Sequence, residues 1–268
     1  MMIRSAAYLA TLMGCSTAFA QSEPPTMEAP PFVDAWKFNL GIGVGEQPKF
    51  PGSDSDRTRV MPMLGAQYGR FFVGGAPGAG STAGLGMYLL RDSGWSVGVG
   101  LGANLTTPRK ASDSPRLTGM GDIPRTELGS LFVNYDWRWL AVHSKVQTDI
   151  GGKNEGTTAS LELEGRVPLG GGVMLSAGPG LTWADHKYQQ TFFGVDSAQS
   201  LASGLAAYNA TAGVNSVRLN IGLNYRISPR WGVGLHTSVG RLTGSAADSP
   251  ITESKNQTSV GLFTNYGF

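Results

Sequence analysis

Between Val217 and Leu242 the chain alternates with a period of two. Val217, Leu219, Ile221, Leu223, Tyr225 and Ile227 are apolar, while Arg218, Asn220, Gly222, Asn224 and Arg226 between them are polar or small. Only an extended strand, whose successive side chains point to opposite faces, produces that pattern. Ser228, Pro229 and Arg230 make a turn, after which Trp231, Val233, Leu235, Thr237 and Val239 resume on one face. Gly232, Gly234, His236, Ser238 and Gly240 occupy the other. Two such runs around so short a turn predict an antiparallel hairpin. Strands of soluble sheets usually run to about 5–6 residues. Strands that cross a bilayer need about 9–11 at a steep tilt, and these runs meet that requirement.

Composition narrows the class further. The 268 residues are 41% hydrophobic and 15% charged, with 39 glycines, enough for one large β domain. No run of about 18 apolar residues follows the N-terminal segment, which argues against membrane-spanning helices. A mean hydropathy of -0.09 is compatible with a membrane barrel, because only alternate residues face lipid. The formal charge of +2 comes from scattered basic residues without a cluster, so no nucleic-acid partner is expected.

Residues 1–20 read as a secretory signal. Arg4 supplies the charge, Ala6 to Met13 the apolar core and Ala18-Phe19-Ala20 the cleavage site. The lone Cys15 would leave with it; the rival reading makes Leu12 to Cys15 a lipoprotein processing site with Cys15 acylated. A Pro-rich linker is expected at 21–33 and the barrel at 34–268.

Alternating runs continue along the chain: Trp36 to Val44, Arg57 to Tyr68, Phe71 to Val73, Thr82 to Leu90, Trp95 to Leu101, Glu127 to Trp137, Trp139 to Gln147, Leu161 to Val167, Val173 to Trp183, and Thr258 to Phe268. Pro62 inside one run predicts an edge-like or bulged position. Connections are short near 69, 92, 137, 170 and 229, and long near 51, 77, 115, 152, 199 and 250. Short periplasmic turns alternating with long external loops are the mark of outer-membrane barrels. The fold class is therefore all-β: a closed antiparallel transmembrane β-barrel of about twelve strands. Its final run ends on Phe268, a terminal aromatic similar to the signal read by barrel-assembly machinery.

Two sets of side chains follow from the alternation. A polar lumen row is expected from Asp136, His143, Lys145, Glu162, Glu164, Arg166, Arg218, Asn220, Asn224, Arg226, His236 and Ser238. The row could line a pore, or its mixed charges could pair across the narrow interior as a plug; pairing is the more usual outcome and favours a mostly closed lumen. An aromatic girdle at a membrane interface is expected from Trp36, Trp95, Trp137, Trp139, Tyr225, Trp231, Tyr266 and Phe268, together with Tyr68, Phe71 and Tyr88. His236 and Ser238 share one strand face, which is the minimum an acyl hydrolase would need. A spacing of two on a strand is also the commonest accident, so no catalytic residue is assigned. The three His lack metal-ligand spacing, and neither metal nor cofactor is expected. The long segment from Asp185 to Gly213 either folds inward or presents a surface.

Several co-linear motifs resemble the MipA/OmpV family of outer-membrane proteins. They are Lys49-Phe50-Pro51-Gly52-Ser53-Asp54, Tyr68-Gly69-Arg70-Phe71-Phe72, Ala177 to Asp185, Gln190 to Val195, Ser197-Ala198-Gln199-Ser200 with Ser203-Gly204-Leu205, and Arg241-Leu242 with Asp248-Ser249-Pro250-Ile251. The Gly74 to Gly80 tract departs from the family as an insertion. The resemblance implies an outer-membrane location in contact with lipid. It also implies a non-enzymatic scaffold holding a lytic transglycosylase and a bifunctional penicillin-binding protein. A small pore or an adhesin is the alternative.

Overall fold

The computed structural model describes Phe32 and residues 34–74, 83–104 and 107–268. The expected signal sequence and nearly all of the linker lie outside the described residues, as does most of the Gly74 to Gly80 tract.

Twelve strands form a single closed antiparallel barrel. They are β1 (Lys37–Pro48), β2 (Asp56–Tyr68), β3 (Phe71–Val73), β4 (Ala83–Asp92), β5 (Trp95–Ala103), β6 (Glu127–Trp137), β7 (Leu140–Asp149), β8 (Thr157–Gly170), β9 (Val173–Ala184), β10 (Gly213–Arg226), β11 (Trp231–Leu242) and β12 (Asn256–Gly267). Each pairs with its sequence neighbours, and β1 closes on β12 from Asn39↔Gly267 to Glu46↔Val260. Closure removes the unpaired edges that a bilayer would not tolerate. No described helix is long and apolar enough to cross a membrane.

The two-residue turns carry the chemistry such turns need. Ser93 and Gly94 both have positive φ (47° and 88°), as do Gly171 and Gly172 (58° and 84°). That geometry matches the twist of the flanking strands. The long connections gather at the opposite end.

Facing follows the predicted alternation. On β10, Leu219 and Leu223 are exposed on the outer surface while Gly222 and Asn224 are buried inside. Pro62 pairs with Ile42 on β1. On its other side β2 meets β3 only from Ala66 to Tyr68, so Pro62 lacks a partner there among the described residues. This edge-like position is where a residue without an N–H costs least.

One facing assignment is corrected. Tyr88 is not a girdle residue: it pairs with Gly98 on the lumen side and is 1% exposed. A register shift between Tyr88 and Leu90 lets Leu89 and Leu90 both face outward before Arg91 turns in opposite Ser96. Strict alternation read through Leu89 misses such a bulge.

Candidate functional site

The lumen holds two contrasting clusters. On one wall, alternate positions of β8 send Glu162, Glu164 and Arg166 inward, facing residues of β7 and β9. Arg166 donates to Asp136 at 2.7 Å and to Glu164 at 2.9 Å. His143 lies 3.3 Å from the same Glu164 oxygen. Arg218 reaches across β9 to Glu162 at 2.5 Å and donates to Thr182 at 2.9 Å. These contacts bind five neighbouring strands, β6 to β10, together side chain to side chain. Charge-assisted bonds of this kind keep the ions tolerable where water is scarce.

The other wall is aromatic. Phe72, Tyr88 and Phe132 meet with ring centroids 5.2, 6.1 and 5.7 Å apart. Glycines on the strands between make the seats: a Cβ on Gly86 would strike the Phe72 ring, and one on Gly98 the Phe132 ring. Arg91 caps Tyr88 with its guanidinium 4.7 Å from the ring centre. Phe32 joins from the N-terminal side, 6.3 Å from Tyr88 and beneath Arg70 of the first turn. Phe32 therefore sits at the end of the barrel where the short turns lie.

The remaining expected lumen residues are placed as follows. Lys145 is inward opposite Phe132, and Asn220 is inward opposite Ser238. Asn224 is buried opposite Gly234, and Arg226 lies opposite Gly232 next to the turn. His236 faces Gly222 and Ser238 is 3% exposed, but no hydrogen bond joins the two among the described residues. A nucleophile needs its base within hydrogen-bond reach, and here the strand spacing does not bring them together.

The residues expected to form the girdle cluster beside the short turns. Trp36 stacks on Phe38 at 5.5 Å and tilts against Tyr68 at 5.2 Å. Trp95 packs on Tyr135 at 4.6 Å, and Trp231 on Tyr266 at 4.9 Å, with Phe268 edge-on beyond. Phe71, Trp137, Trp139 and Tyr225 also point outward and are exposed.

What sequence reading missed is the cap. The segment 185–212 folds into α1 (His186–Phe193) and α2 (Ser197–Ser203). Asp185 caps the first by accepting from the Tyr188 N–H at 2.7 Å, and Asp196 caps the second from Gln199 at 2.8 Å. Phe192, Phe193, Ile123, Ala210, Ala246 and Ala247 then form one apolar core, and Phe50, Leu117, Met120, Val195 and Ile251 form another. The second core joins loops that follow β1, β5, β9 and β11, so it bridges the mouth from several sides.

Polar ties reinforce the cap. Arg109, 2% exposed, donates to the Phe192 carbonyl at 2.9 Å. Burial pushes its pKa down to about 10, partly offset by Asp113 and Asp122. Gln199 donates to the Met120 carbonyl at 3.0 Å, Arg116 to that of Pro250 at 3.2 Å, and Ser114 to Glu253. The loop after β7 joins through Thr191, which donates to the Asn154 carbonyl at 2.6 Å. Its Glu155 is pushed up to about 7 by burial and by the charge of Asp149. The available signal was apolar residues within segments otherwise read as loops: Phe50, Leu117, Met120 and Ile251.

No group of three or more His, Cys, Asp or Glu suited to a metal ion occurs among the described residues. The chain is 32% identical over 127 residues to outer membrane protein Omp26La of Vibrio anguillarum, covering 47% of this chain and 48% of that one. It is 30% identical over 127 residues to outer membrane protein OmpV of Vibrio cholerae, with the same coverage. The match thus spans about half the length of these curated relatives. Among solved structures, the NanC porin superposes with a TM-score of 0.47 at 8% identity, covering 85% of this chain and 98% of that one. The description "MltA-interacting protein MipA" matches residues 40–268. Most of the chain is thereby accounted for, and it belongs to the MipA family as a β-barrel protein of the outer membrane.

Proposed function

We propose that this protein is a non-enzymatic scaffold. In this reading it anchors a lytic transglycosylase and a bifunctional penicillin-binding protein beneath the outer membrane. The observation that carries the reading is the cap, whose buried Phe50, Leu117, Met120, Val195 and Ile251 draw several loops together over the barrel mouth. A barrel so capped, with paired charges and an aromatic cluster inside, is built as a packed body more than as a wide passage. Its work is then done at its ends. The family description, MltA-interacting protein, supports a murein-enzyme partner in this reading.

The short turns offer little periplasmic surface, so the segment before Phe32 is the docking element in this proposal. Phe32 packs against the Phe72, Tyr88 and Phe132 cluster, and the prolines in the sequence before it favour an extended, pre-ordered ligand. The test is an affinity pull-down from solubilised outer membrane. The full chain should capture both enzymes. Deleting Glu23 to Pro31 should abolish capture while the barrel still folds. Capture of neither enzyme by the full chain, or undiminished capture by the deletion, counts against the reading. Large stable conductance steps in a planar bilayer would favour the pore instead.

A further inference from the structure

Arg57 and Arg59 on β2 stand on the lumen side, opposite Gln47 and Gly45 of β1, while Val60 is 65% exposed on the outer surface. Two positions apart on one strand face, their Cα atoms are roughly 7 Å from each other. The loop 104–126 offers them one carboxylate, Asp113, which lies 3.5 Å from Arg57. The other oxygen of Asp113 already accepts from the Lys110 N–H at 2.8 Å. Among the described residues no carboxylate comes within salt-bridge distance of Arg59. The Nε–H groups of both arginines are buried and make no hydrogen bond.

The neighbouring strand adds a further polar group. The β1–β12 register sets Val260 opposite Glu46, which carries Ser259 to the lumen position beside Gln47. Ser259 is 0% exposed, and its hydroxyl also has no partner. Contrast the charged wall of β6 to β10, where Arg166 and Arg218 each hold a carboxylate at 2.9 Å or less. Two adjacent guanidiniums, of which only Arg57 holds a carboxylate and that one loosely, leave surplus positive charge and unsatisfied donors. Planar guanidinium forks match carboxylate and phosphate oxygens.

We infer that Arg57 and Arg59, with Ser259 alongside, form a binding site beneath the cap for a small soluble oxyanion, a carboxylate or phosphate. The site opens to the lumen and not to the lipid face, so its ligand is a solute and not a lipid headgroup. The inference is independent of the scaffold reading, because binding is measured on the isolated barrel.

The experiment is calorimetric titration of the folded full chain in detergent with inorganic phosphate, at constant ionic strength set with chloride. Wild type should show saturable binding. Arg59→Gln should weaken it at least tenfold, the scale of one charge-assisted hydrogen bond. Asp113→Asn, which removes the competing anion but keeps an acceptor for Lys110, should tighten it. Arg230→Gln, in a turn at the far end, should bind as wild type does. Absence of saturation in wild type overturns the proposal whatever the variants do. Equal affinity of wild type, Arg59→Gln and Asp113→Asn overturns it as well.

Discussion

If the loops form one packed cap, opening it should cost what its core is worth, and the barrel should not notice. Ile251 is the sharpest probe, being 0% exposed among Phe50, Leu117, Met120 and Val195. Ile251→Ala removes three carbons, worth roughly 2.4 kcal/mol at about 0.8 kcal/mol each. A residual cavity brings such substitutions to about 2–5 kcal/mol. Since about 1.4 kcal/mol is tenfold, the cap-opening equilibrium should rise by roughly 50-fold or more. Hydrogen exchange read by mass spectrometry gives the reporters directly. Met120 N–H donates to Leu117, and Val195 and Tyr208 exchange a pair of backbone bonds. Peptides covering 104–126 and 185–212 should lose protection by that factor, while β10 and β11 keep theirs. Unchanged exchange in the cap would show that its loops do not share a core. Equal loss in cap and strands would show that cap and barrel open as one unit, and either result refutes the argument.

Ile221 is outward on β10 at 38% exposure and its neighbour Asn220 is inward. Ile221→Arg should cost about 2–4 kcal/mol in urea refolding into vesicles, and Asn220→Arg much less; equal costs would mean the faces are misassigned. Glu155 supplies a pH test. Its folded pKa of about 7 lies above the ordinary 4.5, so the folded cap binds the extra proton. The stabilisation is full below about pH 4.5 and is lost as pH rises through 7. Proteolysis of loop 150–156 should therefore be faster at pH 8 than at pH 5, and Glu155→Gln should flatten the difference. For His236 and Ser238, a phospholipid deacylation assay should give no turnover in wild type beyond that of Ser238→Ala.

Much of the architecture was legible in the chain because a bilayer imposes a local rule. Every residue of a spanning strand faces either lipid or lumen, so the sorting of Leu219 from Asn220, or Leu163 from Glu164, is written at a spacing of two. The alternation of short and long connections then orders the strands, since each pairs with its neighbours. A count of about twelve follows from that order, and closure of the last strand on the first from the need to leave no open edge in a bilayer; the structure sets the number at twelve. A bulge defeats the rule, as at Leu89, because one extra residue reverses the parity of everything beyond it and carries Tyr88 inside.

The cap and the pairing inside the lumen belong to tertiary structure alone. Phe50, Leu117, Val195 and Ile251 come from four loops far apart in sequence, and no period links them. Nothing local says that Arg218 meets Glu162 while Arg59 meets no carboxylate among the described residues, for strand tilt and register decide which inward groups come within reach. Periodicity assigns a side chain to a face. Only the closed barrel, by setting the distances across that face, assigns it a partner.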